Sequence, residues 1–196
     1  SGKVEGVIYS EEEEDDITIT KVEVKDEKGK SRLGRDIGRY ITYNISKKDL
    51  SDSGQKSQVA HLLCSALKDF YPYTKDKTIL VCGLGNDNIT PDALGPMVYS
   101  KLIVTRHIKI LDESAFSEQN FGDMCAVMPG VLGQTGIESA QIIKSVCEIA
   151  KPDICIVLDA LASRKISRLA CTIQISDTDI TPGGGIGNKR EVIGKN

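Results

Sequence analysis

The first 50 residues alternate between apolar and polar side chains with a period of two. Residues 17–24 and 39–45 both show this alternation, which predicts two β-strands with one buried face each. Residues 25–30 between them are charged and contain a glycine, so they are predicted to form a hairpin turn. Six consecutive acidic residues, 11–16, precede the first strand and are interpreted as a solvated, self-repelling loop. Residues 1–50 are therefore predicted to form a β-rich segment.

The remaining chain, residues 51–196, alternates helical periodicity with short apolar runs. Apolar side chains at i, i+3 and i+4 spacing predict a helix over 55–70. A second helix is predicted over 137–150, with Thr135 and Glu138 at capping-box spacing. Runs typical of strands buried on both faces occur at 78–83 and 154–158, further strands are predicted at 125–128 and 171–175, and a loop is expected at 130–136. This alternation predicts an α/β fold with a largely parallel sheet flanked by helices.

Composition narrows the class of protein. Hydrophobic residues make up 40% and charged residues 27% of the chain, which excludes disorder throughout. The net charge of -3 argues against direct binding of nucleic acid. No apolar run reaches the roughly 18 residues of a membrane span and no leader opens the chain, so a cytoplasmic location is expected. The six cysteines include no CxxC pair, and several lie in apolar runs, which favours reduced, buried thiols over disulfides.

Ligands bind at the carboxyl ends of the strands in sheets of this kind, so the residues after each predicted strand are the first candidates. The loop after 78–83 leads to Asp92. Thr90 and Pro91 are interpreted as the N-cap and first residue of a helix, which places Asp92 in its first turn. The helix dipole and free amides there favour the ionised carboxylate, so Asp92 is a candidate general base.

A second aspartate, Asp159, follows the apolar run 154–158 and precedes Ala160. Desolvation disfavours a charge in that setting, so Asp159 is a candidate general acid. Two carboxylates with different proton affinities allow one to activate water while the other protonates a leaving group. Asp177, after the run 171–175, is a third candidate. The alternative is that these aspartates only cap helices or loops.

Other motifs carry weaker signals. Gly83 and Gly85 begin a GxGxxG dinucleotide pattern, but Asn88 stands where the third glycine belongs. The glycine-rich residues 182–187 predict either an anion cradle or a flexible loop. Cys82 lies inside a predicted strand, where its thiol is expected to be inert. None of these motifs predicts a cofactor.

Several separate motifs resemble the germination proteases of spore-forming bacteria. They are Gly83-Leu-Gly-Asn86, Thr90-Pro-Asp-Ala-Leu-Gly-Pro96, Thr105-Arg-His107, Pro129-Gly-Val-Leu-Gly-Gln-Thr-Gly-Ile-Glu138, Asp159-Ala-Leu-Ala and Thr172-Ile-Gln-Ile-Ser-Asp-Thr178. The resemblance is dense from about Thr78 to Arg190 and thinner over the N-terminal strands. The first motif is also similar to hydrogenase maturation endopeptidases, which implies a related fold.

The resemblance implies an endopeptidase that degrades small acid-soluble spore proteins in the spore core during germination. It also implies a zymogen that removes its own propeptide, and assembly as a homotetramer. The family is grouped with atypical aspartic peptidases, and its two implicated aspartates correspond to Asp92 and Asp159. The propeptide is not recognisable here, and the family is expected to continue beyond Asn196.

Three hypotheses follow for the chemistry. In the first, the two aspartates activate water, amides near Gly85 or Gly130 stabilise the oxyanion and Asn86 supports the site. In the second, a divalent metal binds the two aspartates and a third ligand, His107 or Asp177; no other cofactor is expected. In the third, the chain is an inactive or truncated relative that binds spore proteins without cutting them.

Overall fold

The computed structural model describes residues 4–45, 53–72, 74–162, 171–180 and 193. Its strands are β1 (Val7–Glu14), β2 (Ile17–Val24), β3 (Gly38–Ile45), β4 (Thr78–Gly83), β5 (Asp123–Val127), β6 (Ile154–Leu158) and β7 (Thr172–Ser176). Its helices are α1 (Glu27–Leu33), α2 (Ser53–Phe70), α3 (Leu94–Tyr99), α4 (Arg106–Leu111), α5 (Glu113–Glu118), α6 (Leu132–Thr135) and α7 (Ser139–Ala150). The glycine-rich residues 182–187 lie outside the described residues.

The chain divides into two compact units. Unit 1 comprises Ser1–Pro72 with Leu161–Asp179, and unit 2 comprises Tyr73–Ala160 with Ile180–Asn196. Unit 1 holds an antiparallel sheet in the order β1-β2-β3-β7, and unit 2 holds a parallel sheet in the order β5-β4-β6. The predicted fold class, a parallel sheet flanked by helices with a β-rich N-terminal part, is confirmed.

The core of unit 1 follows from the alternation in its strands. Ile17 and Ile19 of β2 point inward and pack with Tyr43 of β3 and Ala66 of α2. The strands predicted at 17–24 and 39–45 are confirmed, as is the helix predicted at 55–70, which begins two residues earlier. Because the apolar face of α2 packs on this cluster, the helix belongs to unit 1 with the N-terminal strands.

The acidic run 11–16 is not a loop, contrary to the prediction. Residues 11–14 end strand β1, where Glu11 pairs with Thr20 and Glu14 with Ile17. Only the last two acids form the turn into β2. The run extends because pairing with β2 satisfies its backbone, while β1 is the edge strand of the sheet and leaves the charges exposed.

The hairpin turn predicted at 25–30 is also wrong, because the helix α1 occupies this connection. The Asp26 carboxylate caps the helix by accepting a hydrogen bond of 2.9 Å from the Gly29 amide. Gly34 ends the helix in the left-handed conformation, with φ of 62°. An aspartate N-cap and a terminal glycine were the available signals.

The core of unit 2 surrounds its central strand, β4. Leu80 and Cys82 of β4 are fully buried and pack with Ile143 of α7. The strands predicted at 78–83 and 154–158 are confirmed, and the one predicted at 125–128 lies at Asp123–Val127.

The last predicted strand has a different partner from the one that the alternation favours. The run 171–175 forms β7, which pairs antiparallel with β3 in unit 1 and takes no part in the parallel sheet. A strand's own residues encode its extended form and burial, but not which neighbour it will pair with. Its placement is therefore a property of the assembled fold.

The loop expected at 130–136 contains the one-turn helix α6. Thr135 is the last residue of α6, so it does not cap the following helix. Glu138 is the N-cap residue of α7, and no side-chain hydrogen bond caps that helix. The Thr135 hydroxyl instead accepts a hydrogen bond of 3.2 Å from the Ile137 amide. The predicted capping box is therefore wrong, although the predicted helix is present from Ser139.

All six cysteines lie in the described ranges and none forms a disulfide, as predicted. Cys82 and Cys171 are buried, whereas Cys64 and Cys155 are exposed, so burial was predicted correctly for only part of the set. Within the described part of the chain, no helix has the length and apolarity needed to cross a bilayer.

Candidate functional site

The candidate site lies where two neighbouring parallel strands end. Gly83 is the register partner of Leu158, and the Leu84 amide extends the pairing by donating a hydrogen bond of 2.8 Å to the Leu158 carbonyl. Asp159 follows immediately on one side, and the loop that carries Asp92 follows on the other. Both candidate aspartates therefore leave the same edge of the sheet of unit 2, as their position after strands predicted.

Asp92 is held by a loop amide, not by the start of a long helix. It ends a 3-10 turn, Thr90–Asp92, whose N-cap position is Ile89. Its Oδ2 accepts a hydrogen bond of 2.9 Å from the Asn86 amide, which also lies 3.2 Å from the Asp92 carbonyl oxygen. The amide that holds this carboxylate belongs to the preceding loop and not to the predicted helix start, and the predicted N-cap and helix position are wrong.

The loop closes so tightly around Asp92 that glycine is required beside it. Gly85 has φ of +115°, and a Cβ built there would lie 1.9 Å from the Asp92 carbonyl oxygen. Gly95 of α3 is equally constrained, since its Cβ would lie 2.1 Å from the Leu84 carbonyl oxygen. These two close approaches fix the position of Asp92 relative to the end of β4.

Asp159 occupies a different environment from Asp92. Burial raises the pKa of the Asp159 carboxyl, the Ala160 amide opposes the shift, and the negative charge of Asp92 adds to it. The Ala160 amide donates a hydrogen bond of 2.8 Å to Oδ1. The direction predicted from the apolar run is confirmed. The contribution of Asp92 also shows that the two carboxylates are close enough to interact electrostatically.

A glutamine that the sequence analysis did not single out connects the loops of the site. Gln134 of α6 donates a hydrogen bond of 2.9 Å from Nε2 to the Asn86 side-chain oxygen, and its Oε1 accepts one of 3.3 Å from the Val131 amide. Asn86 is the residue whose amide holds Asp92. Gln134 lies within the longest of the resemblance motifs, which was the one signal available for it.

Gly130 turns the chain after β5, the third strand of the same sheet. Its φ of +70° is in the left-handed region, and its carbonyl accepts a hydrogen bond of 2.8 Å from the buried Ser139 hydroxyl. Gly130 therefore anchors the α6 loop to the start of α7. Its carbonyl is engaged in structure, and a role for nearby amides in oxyanion binding stays a prediction.

Asp177 belongs to unit 1, where it is engaged by a cation. Its Oδ1 accepts a hydrogen bond of 2.7 Å from the Arg39 amide, and its Oδ2 accepts one of 2.9 Å from Arg39 Nε. This pairing of adjacent strand ends gives Asp177 a structural role. The described contacts do not bring it to Asp92 or Asp159.

The arrangement does not support a three-ligand metal site with His107. This histidine lies in α4, which begins beside the amino-terminal end of β5: the Thr105 amide donates a hydrogen bond of 3.0 Å to the Met124 carbonyl. The candidate aspartates leave the opposite edge of the sheet. Over the part of the chain that the structure describes, no three His, Cys, Asp or Glu side chains are grouped to hold a metal ion.

Asp92 and Asp159 share one chemical property. Among the described residues, no Lys, Arg or His forms a salt bridge with either carboxylate, and a backbone amide holds each of them. No fixed positive charge therefore adds to the stabilisation of either ionised carboxylate. The pair therefore has the two environments that acid-base catalysis needs.

Comparison with known proteins gives the same family along the whole chain. A family model described as Germination protease matches residues 1–196. A germination protease of Clostridium perfringens is 45% identical over 197 residues, which are 97% of this chain and 59% of the relative. Those of Caldanaerobacter subterraneus and Oceanobacillus iheyensis are 45% and 44% identical, over 96% and 98% of this chain and 58% and 53% of their own lengths. The chain thus spans less than two thirds of these relatives.

Proposed function

Because the chain belongs to the germination protease family, we propose that it carries the catalytic carboxylates of an endopeptidase that uses aspartate-activated water. One observation supports this most: two neighbouring strand ends present Asp92 and Asp159 without a cation partner among the described residues, in environments that differ in burial. The resemblance had pointed to the same two positions.

The two carboxylates have complementary roles in the proposed reaction. Asp92, held by the Asn86 amide, takes a proton from a water molecule as that water attacks the peptide carbonyl carbon. Asp159, whose pKa is raised mainly by burial, holds a proton and gives it to the leaving amide nitrogen. The C–N bond then breaks, and one proton has passed from water to the amine product.

The substrate, processing and assembly follow from the family resemblance. We expect the substrates to be small acid-soluble spore proteins in the spore core, and the active form to arise from a zymogen. We expect a homotetramer, which light scattering after size-exclusion chromatography would report as four times the 21.3 kDa chain mass. A monomeric result would contradict the proposed assembly but not the proposed catalysis, because the paired aspartates lie within one chain.

The decisive experiment is to incubate the purified chain with a purified small acid-soluble spore protein and to follow the products by mass spectrometry. We expect discrete fragments that are absent with Asp92→Asn and Asp159→Asn proteins of equal fold. The same reaction is run with a chelator and with added divalent metal. Metal-dependent cleavage would transfer the assignment to a metallopeptidase. Binding of the substrate without any fragment would identify an inactive relative and overturn the proposal.

A further inference from the structure

Three cysteine side chains of unit 2 lie together, away from the aspartate pair. Cys82 of β4 is fully buried, and its Sγ lies 3.7 Å from the Sγ of Cys155 in the neighbouring strand β6. Cys147 of α7 packs against the core cluster that contains Cys82, and it contributes to the lowered pKa of Cys155. The three thiols therefore form one cluster.

Cys155 differs from its two neighbours in access. It is exposed, whereas Cys82 is buried and Cys147 is half-buried. Its exposure follows from the topology, because β6 is an edge strand of the sheet of unit 2 in the described residues. A reagent in solution can therefore reach the Cys155 sulfur.

Hydrogen bonding and burial give the three thiols different pKa values. Donation from Cys82, and further from Cys147, lowers the pKa of Cys155 to about 7, against the opposing effect of burial. The same hydrogen bond, together with burial, raises the pKa of Cys82. Burial raises the pKa of Cys147 to about 11. The exposed sulfur is thus the one that carries a thiolate, and its neighbours stay protonated as donors.

We propose that Cys155 is a modification site for low-molecular-weight disulfides, with Cys82 and Cys147 as the donors that activate it. The Cys155 thiolate attacks one sulfur of the disulfide. A new S–S bond forms to that half, the reagent's own S–S bond breaks, and the other half leaves as a thiolate. The incoming disulfide is the oxidant, so no further reactant is needed.

The adduct is expected to persist. Displacement from within the chain would require attack by a neighbouring thiolate, and Cys82 and Cys147 both stay protonated, with Cys82 fully buried as well. The register supports this, because Cys82 is the partner of Val157 and Cys155 that of Leu80, so the two cysteines lie diagonally across the strands. A disulfide between them would need strand movement, which diagonal positions make costly. The inference is independent of the proposed peptidase activity.

The test follows thiol chemistry directly. The reduced chain is mixed with 4,4′-dithiodipyridine at a series of pH values and quenched with acid, and the adduct on each cysteine is quantified by peptide mass spectrometry. We expect Cys155 to react first, with one thiopyridone released, at a rate whose midpoint is about pH 7. Cys64 of α2 is the matched control, because it is also exposed but has no thiol contact among the described residues; we expect it to react more slowly at neutral pH.

Variants of one donor separate activation from mere exposure. In Cys147→Ala the pH profile of Cys155 should move to higher pH. Its rate at pH 7 should fall by no more than about threefold, since Cys82, the larger contributor to the lowered pKa, still donates and a more basic thiolate is a stronger nucleophile. Cys147→Ser keeps a donor and should retain most of the rate. Circular dichroism verifies that both variants fold.

Four results would overturn the proposal. They are first labelling at another cysteine, a Cys155 profile with a midpoint near pH 8.5, a Cys147→Ala profile identical to that of the wild type, and an intramolecular Cys82–Cys155 disulfide in place of the adduct.

Discussion

Asp177 of unit 1 and the aspartate pair of unit 2 are held in opposite ways. In unit 1, Arg39 holds both oxygens of Asp177, and Glu5 pairs with Lys28 and Arg32. In unit 2, a neutral backbone amide holds each of the aspartates at the strand ends, Asp92 and Asp159. An acid beside a cation is fixed as an anion and contributes to structure. An acid held only by neutral amides lacks that fixed positive charge, and the proposed acid-base roles are assigned to such groups.

The same contrast occurs between the two ends of the parallel sheet. At the amino-terminal end of β5, the buried Asp123 accepts hydrogen bonds of 2.9 Å from both Lys109 and Thr78. At the carboxyl ends, the described contacts of Asp92 and Asp159 include no cation. One sheet thus separates a structural carboxylate from its candidate catalytic ones by the length of a strand.

The largest expected effect is the loss of activity when an aspartate of the pair is neutralised. Asp92→Asn and Asp159→Asn keep the size of the side chain but cannot transfer the proton, so cleavage should fall by about 10²–10⁴-fold in each. Asp177→Asn should retain activity to within a few-fold, because Arg39 already fixes its charge. The double variant should be hardly worse than the worse single one if the pair acts as a unit. Near wild-type kcat/KM for either single variant would contradict the proposed catalytic role of that aspartate.

The next largest effect concerns glycine beside the site. Gly85→Ala should destabilise the chain by roughly 2–5 kcal/mol, because a positive φ and a clash with the Asp92 carbonyl are combined there. Gly34 of unit 1 is the matched control: its φ is +62° but a Cβ added there would meet nothing within 4 Å, so Gly34→Ala should cost only about 1–2 kcal/mol. Urea unfolding measures both. Equal costs would show that the loop around Asp92 is looser than described.

A smaller effect, opposite in sign for the two units, is expected on stability. The raised pKa of Asp159 means that the folded state binds more protons than the unfolded state between about pH 4 and that raised pKa, so stability falls as pH rises through this window. Asp159→Asn should therefore raise Tm at pH 7 and lose this advantage below about pH 4. Asp177→Asn should lower the free energy of unfolding at pH 7 by about 1 kcal/mol, and Tm with it, because it weakens the pairing with Arg39. A lower Tm for Asp159→Asn at pH 7 would contradict the assignment.

The smallest effect is expected at the acidic edge of unit 1. Replacing residues 11–14 with glutamine should change the free energy of unfolding by no more than about 0.5 kcal/mol per residue, because these side chains are exposed on an edge strand. The variant should aggregate more readily, since the charges discourage pairing with another chain. Thermal unfolding and light scattering measure the two outcomes. A large loss of Tm would show that the run is docked on a basic surface.

The strength of local patterns explains which elements were predictable. Residues 79–82 and 154–158 are short, uniformly apolar runs, and the strands that contain them were placed with correct limits. The acidic residues 11–14 have no such pattern. They are extended only because β2 supplies hydrogen-bonding partners, and a single strand does not encode its neighbour.

The sequence by itself determined the positions of Asp92 and Asp159 after strands, and the direction of the pKa shift of Asp159, because an apolar run before a carboxyl group already implies desolvation. Only the tertiary structure decided that the Asn86 amide holds Asp92 and that Gln134 braces Asn86. It also decided that Asp177 pairs with Arg39, 138 positions away in the chain. These outcomes depend on which strands become neighbours, and that choice minimises the free energy of the whole fold rather than of any one segment.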